Sequence, residues 1–158
     1  MVGGRLLVVD DEEPIRQMFR DYFTTLGYQV ATAQSGRDAL TQLVPGGFDC
    51  ILCDLMMPEM DGMELLQELR TQDKTTPFLM MTGYPSLETA IDAIKRGAYD
   101  YITKPVNLDD VYFKIKRAIH TKNVEKSLKK ANGFLWALVI SVPFWLILGI
   151  IFGLIWRG

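Results

Sequence analysis

The fold is decided by residues 48–62, which read FDCILCDLMMPEMDG. The apolar run 50–53 predicts a short buried strand, and it leads directly to a carboxylate, Asp54, before a loop that contains proline and glycine. Open α/β sheets place their chemistry at the carboxyl ends of their strands, which is where Asp54 falls. The pattern therefore marks Asp54 as a candidate functional residue.

A second strand end carries carboxylates in the same way. Residues 6–9 read LLVV, and Asp10 and Asp11 follow them. Carboxylates delivered by two strand ends predict a small cation site at one edge of the sheet. The alternative is that Asp10 and Asp11 only cap the helix that begins near Pro14.

Strand-like and helix-like patterns alternate five times in the first 120 residues. The predicted strands are residues 5–9, 28–33, 50–53, 78–81 and 98–102. The predicted helices are residues 14–26, 35–44, 63–70, 86–96 and 107–119. Five β-α repeats of this length predict a doubly wound parallel sheet with helices on both faces.

The helical periodicity also predicts caps and buried faces. Ser35 and Asn107 stand where the second and fifth helices need a side-chain acceptor. The second helix is expected to carry its last apolar residue, Val44, just before Pro45. The fourth helix is expected to bury four residues, namely Leu87, Ala90, Ile91 and Ile94.

Polar side chains also follow the fourth and fifth predicted strands. Thr82 comes after the fourth strand and Lys104 after the fifth. Together with Asp10, Asp11 and Asp54 they bring carboxylates, a hydroxyl and an ammonium group to one edge. Mg²⁺ prefers such oxygen ligands, and with it a carboxylate can attack phosphorus while an ammonium and a hydroxyl hold phosphoryl oxygens. The set predicts phosphoryl transfer to an aspartate.

The chain resembles the receiver domain of two-component response regulators over residues 4–120. The resemblance lies in four stretches in the right order and spacing: VVDDE at 8–12, CDLMMPEMDG at 53–62, MTG at 81–83 and YITKP at 101–105. It implies a flavodoxin-like sheet of order 2-1-3-4-5. It also implies that Asp54 receives a phosphoryl group from a sensor histidine kinase or phosphotransfer protein.

The same resemblance assigns further roles. The main-chain carbonyl of Met56 would complete a Mg²⁺ shell formed by Asp10, Asp11 and Asp54. Thr82 and Tyr101 would form the switch, and the Lys104-Pro105 bond would be cis. Taken alone, Lys104 could be a solvated surface residue, and Tyr101 could simply pack in the fifth strand.

Charge and cysteine content argue against two classes of function, nucleic-acid binding and zinc or redox chemistry. Residues 1–120 hold 12 Lys and Arg against 18 Asp and Glu, so this acidic part is not expected to bind nucleic acid directly. Cys50 and Cys53 form a C-x-x-C, but residues three apart on a strand point to opposite faces. Two buried thiols in a reducing compartment are therefore expected, rather than a zinc or redox site.

The C-terminal part has a different composition. Residues 121–133 form a basic linker or helix extension, and residues 134–156 carry no charge. These 23 residues would span roughly 35 Å as a helix, enough to cross a hydrocarbon core of about 30 Å. They predict a transmembrane helix, and the preceding lysines predict a receiver on the cytoplasmic side of the inner membrane. The alternative is a helix buried in a soluble oligomer.

Gly149 and Gly153 form a G-x-x-x-G within this stretch, a spacing that allows a homodimer through close helix packing. Two functions remain open from the sequence. The first is a membrane-anchored switch that signals through contact with a downstream protein. The second is a phosphate sink, in which the only catalysis is transfer to Asp54 and hydrolysis of its acyl phosphate.

Overall fold

A computed structural model of the chain describes residues 3–128 and 156. Its elements, in chain order, are β1 Arg5–Val9, α1 Glu13–Thr25, β2 Gln29–Ala33, α2 Gly36–Gln42, β3 Cys50–Asp54, α3 Gly62–Gln72, β4 Phe78–Thr82, α4 Leu87–Lys95 and β5 Asp100–Thr103. Helical backbone follows over residues 108–128. The chain forms two compact units, Met1–Lys122 and Asn123–Gly158, and α5 below means residues 108–122.

The described strands form one parallel sheet of order β2-β1-β3-β4-β5, which confirms the flavodoxin-like order 2-1-3-4-5. The register aligns the carboxyl ends: Val9 pairs with Cys53, Asp54 with Met81 and Thr82 with Thr103. Residues that follow β1 and β5 are thereby brought to the same edge as the last residues of β3 and β4.

Each face of the sheet is covered by its own apolar cluster. Cys53 packs with Leu7 and Val9 on one face, and Cys50 packs with Leu6 and Val8 on the other. The two thiols diverge as predicted, and burial raises the pKa of both. Neither cysteine is therefore poised for metal binding or thiol chemistry.

Side-chain caps fix where α2, α3 and α5 begin. The Ser35 hydroxyl accepts a hydrogen bond from the amide of Asp38 at 3.2 Å, and Asn107 Oδ1 accepts one from the amide of Asp109 at 2.9 Å. Both predicted caps are confirmed. Asp61 and Glu64 form a reciprocal capping box at the start of α3, which fixes the end of the loop after Asp54.

The predicted burial of α4 is wrong. Leu87, Ile91 and Ile94 are 77%, 45% and 48% exposed, and the helix buries Ala93 instead. The periodicity identified an apolar face of α4 without showing which side of the helix meets the sheet. The small side chain of Ala93 allows the helix to lie closer to the sheet on the side that is buried. The prediction that α2 extends to Val44 is also wrong, because the helix ends at Gln42 and Leu43 is already extended; Val44 is exposed.

A hydrogen-bond cluster lies at the opposite edge of the sheet, around the loop before β4. Asp73 is 7% exposed, and its carboxylate accepts five hydrogen bonds, from the amides of Gly46, Thr75 and Thr76 and the hydroxyls of both threonines. The Lys122 ammonium donates to the carbonyl of Phe48 and the hydroxyl of Thr76. These bonds join the loops before β3 and β4 to the end of α5.

The predicted transmembrane span 134–156 lies, except for its last residue, outside the described residues. Within residues 3–128 and at 156, no helix has both the length and the apolar character required to cross a bilayer.

Candidate functional site

The predicted site residues are carried by neighbouring strand ends. Asp54 and Thr82 are the last residues of β3 and β4, Asp10 directly follows β1, and Lys104 directly follows β5. The amide of Lys104 donates to the carbonyl of Thr82 at 2.7 Å, which extends the pairing of β4 and β5. The Lys104-Pro105 bond is cis, as the resemblance implied.

Lys104 joins the two buried carboxylates. Its Nζ atom lies 3.0 Å from Asp10 Oδ2 and 2.9 Å from Asp54 Oδ1. Asp10 is fully buried and Asp54 is 5% exposed, so both charges are largely removed from water. A buried carboxylate needs such a partner, because its desolvation is otherwise costly.

The electrostatics of Asp54 suit a nucleophile. Burial raises its pKa above the ordinary 3.8, the hydrogen bond and charge of Lys104 oppose the rise, and the charges of Asp10 and Asp11 add to it. The net shift is upward. A more basic carboxylate is the more electron-rich nucleophile.

Lys104 remains a cation in this setting. Burial lowers its pKa, but the hydrogen bonds and charges of Asp54 and Asp10 outweigh burial and raise the pKa above 10.5. The ammonium group therefore supplies a fixed positive charge next to Asp54, where an incoming anion would need it.

The loop after Asp54 is held by the main chain. The amide of Leu55 donates to the carbonyl of Met81 at 2.7 Å, and the amide of Gly62 donates to the carbonyl of Leu55 at 2.9 Å. A Cβ atom at Gly62 would lie 2.5 Å from the carbonyl oxygen of Asp54, so only glycine allows this approach. Met56, between them, is 61% exposed.

The other two predicted residues lie on β4 and β5. Thr82 is fully buried, and its hydroxyl accepts a hydrogen bond from the amide of Tyr84 at 3.1 Å. The Tyr101 hydroxyl lies 2.9 Å from the hydroxyl of Thr89 on α4, and its ring is partly buried against the core. The switch role of both residues stays a prediction.

The described residues suit Mg²⁺ in their donor chemistry, although they form no ready-made cage. Asp10 and Asp54 present oxygens that already share one cation, the Lys104 ammonium, and Asp11 is exposed beside them. Across residues 3–128 and 156, no three His, Cys, Asp or Glu side chains are grouped so as to hold a metal ion. Mg²⁺ needs few protein ligands because it keeps several of its bound waters, so two or three carboxylates are enough to hold it.

Two buried charged residues were missed by the sequence analysis. Arg16 is 7% exposed and donates from Nη1 to the main-chain carbonyl of Asp10 at 2.6 Å. It lies three residues before Phe19 on the buried face of α1, and this position within the apolar stripe was the available signal. Asp73 was the other, and its signal was the pair of threonines that follow it just before a proline.

Fold and site together define an α/β domain in which a lysine joins two buried aspartates at the carboxyl ends of the strands. Residues 6–116 match the family described as the response regulator receiver domain. The chain belongs to this family and is a receiver domain of two-component response regulators. Receiver domains generally interact with sensor histidine kinases and bind Mg²⁺ at the phosphorylation site.

Relatives of known sequence and solved structures support the assignment to the receiver family. The chain is 38% identical over 126 residues to the regulatory protein AtoC of Escherichia coli, covering 80% of this chain and 27% of AtoC. It is 40% identical over 139 residues to the transcriptional regulatory protein ZraR of the same organism, covering 87% of this chain and 32% of ZraR. The chain thus spans about a third or less of these relatives.

Among solved structures, the chain resembles a CheY-like receiver domain protein from Methanospirillum hungatei with a TM-score of 0.74 and 32% identity, covering 78% of this chain and 98% of that one. It resembles NtrX from Brucella abortus with a TM-score of 0.76 and 30% identity, covering 82% of this chain and 29% of NtrX. Both likenesses cover about four fifths of this chain.

Proposed function

We propose that this chain is a membrane-anchored phosphoacceptor switch in which Asp54 takes a phosphoryl group from a partner histidine kinase or phosphotransfer protein. The observation that carries the proposal is the convergence of Asp54, Asp10 and the Lys104 ammonium within 3.0 Å contacts at one buried site. Such a charge arrangement accepts an anion better than a surface aspartate would.

The residues divide the reaction between them. An Asp54 carboxylate oxygen attacks phosphorus, the bond from phosphorus to the imidazole nitrogen of the donor breaks, and an acyl phosphate forms. Lys104 pairs with a phosphoryl oxygen as a point charge, and the Thr82 hydroxyl donates to another. Asp10, Asp11, Asp54 and the Met56 carbonyl would hold Mg²⁺. When bound, the metal would screen the negative charges of carboxylate and phosphate.

We infer an output through protein contact at the α4 and α5 surface. α4 exposes Leu87, Ile91 and Ile94, and α5 exposes Phe113 at 64%. Tyr101 joins this surface to the sheet through its 2.9 Å contact with Thr89 of α4. Movement of Thr82 toward a phosphate on Asp54 would change the space available to Tyr101 and so the position of α4.

We also propose that residues 134–156 anchor the chain in the inner membrane, with the receiver in the cytoplasm. The support is sequence composition: an uncharged stretch of sufficient length, preceded by a basic segment. Close packing at Gly149 and Gly153 would allow a homodimer within the bilayer. Anchoring would raise the local concentration of the receiver near a membrane-bound kinase.

The phosphoacceptor proposal is tested with acetyl phosphate and Mg²⁺ on the purified chain. Wild type is expected to gain one phosphoryl group, and Asp54→Asn none. Asp49→Asn is the matched control, because Asp49 directly precedes the same strand that Asp54 ends. Labelling of the Asp54→Asn chain at the wild-type level would contradict the assignment.

The output surface is tested by comparing retained proteins with and without beryllofluoride as a phosphoryl mimic. A partner retained only with the mimic, and lost with Ile91→Glu, would support the switch. If the mimic changes nothing and the acyl phosphate decays within seconds, the phosphate sink is the better description.

The anchor is tested by fractionating cells that express the whole chain. The protein is expected to stay with the membranes after alkaline carbonate extraction, and Leu146→Arg is expected to weaken this, since a central arginine costs about 2.5 to 3.5 kcal/mol for insertion. Recovery of wild type in the soluble fraction would contradict the anchor.

A further inference from the structure

Arg16 holds a position that arginine rarely occupies. It lies on α1 with Phe19 and Phe23 on the face that packs on the sheet, and its side chain is 9% exposed. Arginine is almost never buried unless its charge is paired, because desolvation of the guanidinium is costly. Its contacts should therefore indicate what this residue does.

The deeper contact of Arg16 is with the backbone of the site. Nη1 donates to the main-chain carbonyl of Asp10 at 2.6 Å, a short charge-assisted hydrogen bond. Nη2 pairs with Glu13, but that carboxylate is 67% exposed and lies on the same helix. Because the Glu13 end of this pair lies in water, its charge is screened, and the pair does not explain the burial of the Arg16 guanidinium.

The other groups of Asp10 are also occupied. Its amide donates to the carbonyl of Ala33 at 3.2 Å, Oδ1 accepts from the amide of Glu12 at 2.9 Å, and Oδ2 accepts from Lys104 at 3.0 Å. The carbonyl is the remaining group, and Arg16 is its donor. Arg16 thus fixes the one peptide group of Asp10 that can turn after β1 ends.

We propose that Arg16 is a positioning residue that sets the orientation of the Asp10 carboxylate and of the 10–11 peptide for cation and phosphoryl binding. It contacts neither Asp54 nor Lys104 among the described contacts and acts through Asp10. The inference rests on the proposed function, since it assigns Arg16 a role in that same site. Partners that orient a metal ligand typically change metal affinity by about 10 to 100-fold when removed.

Arg20 provides a matched control on the same helix. It lies one turn after Arg16, is partly buried, and donates to the hydroxyl of Thr32 on β2. Loss of Arg20 removes an arginine and one hydrogen bond from the contact of α1 with the sheet without touching Asp10. A role for Arg16 in stability alone would make the two variants alike.

The experiment compares Arg16→Gln, Arg16→Lys and Arg20→Gln in the 158-residue chain in detergent micelles. Calorimetric titration with Mg²⁺ is expected to show a loss of about tenfold or more in affinity for Arg16→Gln, an intermediate loss for Arg16→Lys and less than twofold for Arg20→Gln. Hydrogen exchange of the Glu12 amide, in the absence of metal, is expected to be faster in Arg16→Gln alone, because the Asp10 carboxylate that accepts it has moved.

Equal Mg²⁺ affinity and equal Glu12 exchange in Arg16→Gln and Arg20→Gln would overturn the positioning role. If Arg16→Gln does not fold, Arg16→Lys against Arg20→Lys makes the same comparison. Failure of the proposed function gives a different result: wild type would not be labelled by acetyl phosphate, whereas the Glu12 exchange comparison would still report on Arg16.

Discussion

Asp54 and Asp73 are both buried aspartates, at opposite edges of the same sheet, and their surroundings shift their pKa values in opposite directions. At Asp54 burial raises the pKa, and the opposing effect of Lys104 does not cancel the rise. At Asp73 burial also acts to raise the pKa, but hydrogen bonds from Thr76, Thr75 and Gly46 outweigh it and hold the pKa well below its ordinary range.

The difference lies in how the lone pairs are used. The Asp73 carboxylate accepts five hydrogen bonds, whereas among the described residues Asp54 is contacted by one donor group, the ammonium of Lys104. A carboxylate whose acceptor positions are filled by fixed donors stabilises the fold. One whose oxygens are less occupied keeps them available for reaction.

The largest expected effect is on Lys104→Met. The change removes the cation that joins Asp10 and Asp54, so two buried carboxylates face each other without compensation and an incoming phosphate meets no fixed positive charge. We expect labelling by acetyl phosphate to slow by about 100-fold or more. Lys95→Met, at the exposed end of α4, is the control and should label as wild type. Equal rates in both variants would contradict the role of Lys104.

Asp73→Asn should affect stability rather than chemistry. An asparagine side chain keeps one acceptor oxygen and replaces the other with an NH2 donor, so it cannot accept all five hydrogen bonds that converge on Asp73. Loss of these charge-assisted bonds should lower the free energy of unfolding by about 2 to 3 kcal/mol. Labelling of the remaining folded protein should be unchanged. Denaturant unfolding measures the first and acetyl phosphate the second. Asp21→Asn on the exposed side of α1 is the control, and a shift as large there would remove the distinction.

The pH dependence should differ in sign between the two aspartates. Because the folded pKa of Asp73 is depressed, its stabilisation is present above the unfolded pKa of about 3.9 and is lost as pH falls toward the folded value. Because the folded pKa of Asp54 is raised, its ionised form costs stability at neutral pH, and this cost disappears as pH falls through the folded pKa. Asp54→Asn should therefore be more stable than wild type at pH 7 and equal to it in acid.

Unfolding free energies of wild type and both variants, measured from about pH 3 to pH 8, test this pair of predictions. The wild-type advantage over Asp73→Asn should shrink in acid, and so should the advantage of Asp54→Asn over wild type. Parallel curves at constant separation would show that ionisation of these two groups does not cause the differences.

The smallest effect is expected for Lys122→Met. Its ammonium donates to the carbonyl of Phe48 at 3.0 Å and the hydroxyl of Thr76 at 3.2 Å, so the change removes two hydrogen bonds next to Asp73. We expect a loss of about 1 kcal/mol, with no change in labelling. Lys116→Met, on the exposed side of α5, should lose less, and a reversed order would show that the Asp73 cluster does not extend to α5.

The sequence predicted the part of the fold that follows from local pattern. Strand ends with polar residues placed Asp10, Asp54, Thr82 and Lys104 at one edge, because parallel strands bring their carboxyl ends together. The sequence could not show which side of α4 faces the sheet, because an apolar face gives the same pattern whether it packs on the sheet or on a partner protein. Its burial was therefore predicted incorrectly.

The burial of Arg16 and Asp73 was not predicted, for a related reason. Charged residues are normally exposed, so a pattern analysis assigns them to the surface unless a partner is visible nearby in the sequence. The partner of Arg16 is a backbone carbonyl at the end of a strand, and three of the five donors to Asp73 are backbone amides. Such contacts depend on tertiary placement and leave only weak traces in the sequence.

The placement of the two cysteines has a practical consequence. Both are on β3, and their side chains are buried on opposite faces of the sheet. Burial raises the pKa of each thiol and keeps it protonated at neutral pH. The chain has no other cysteine. A maleimide dye or spin label should therefore react selectively with a new cysteine introduced on the outer side of α4, so that its movement could be followed by spectroscopy without first removing the native thiols.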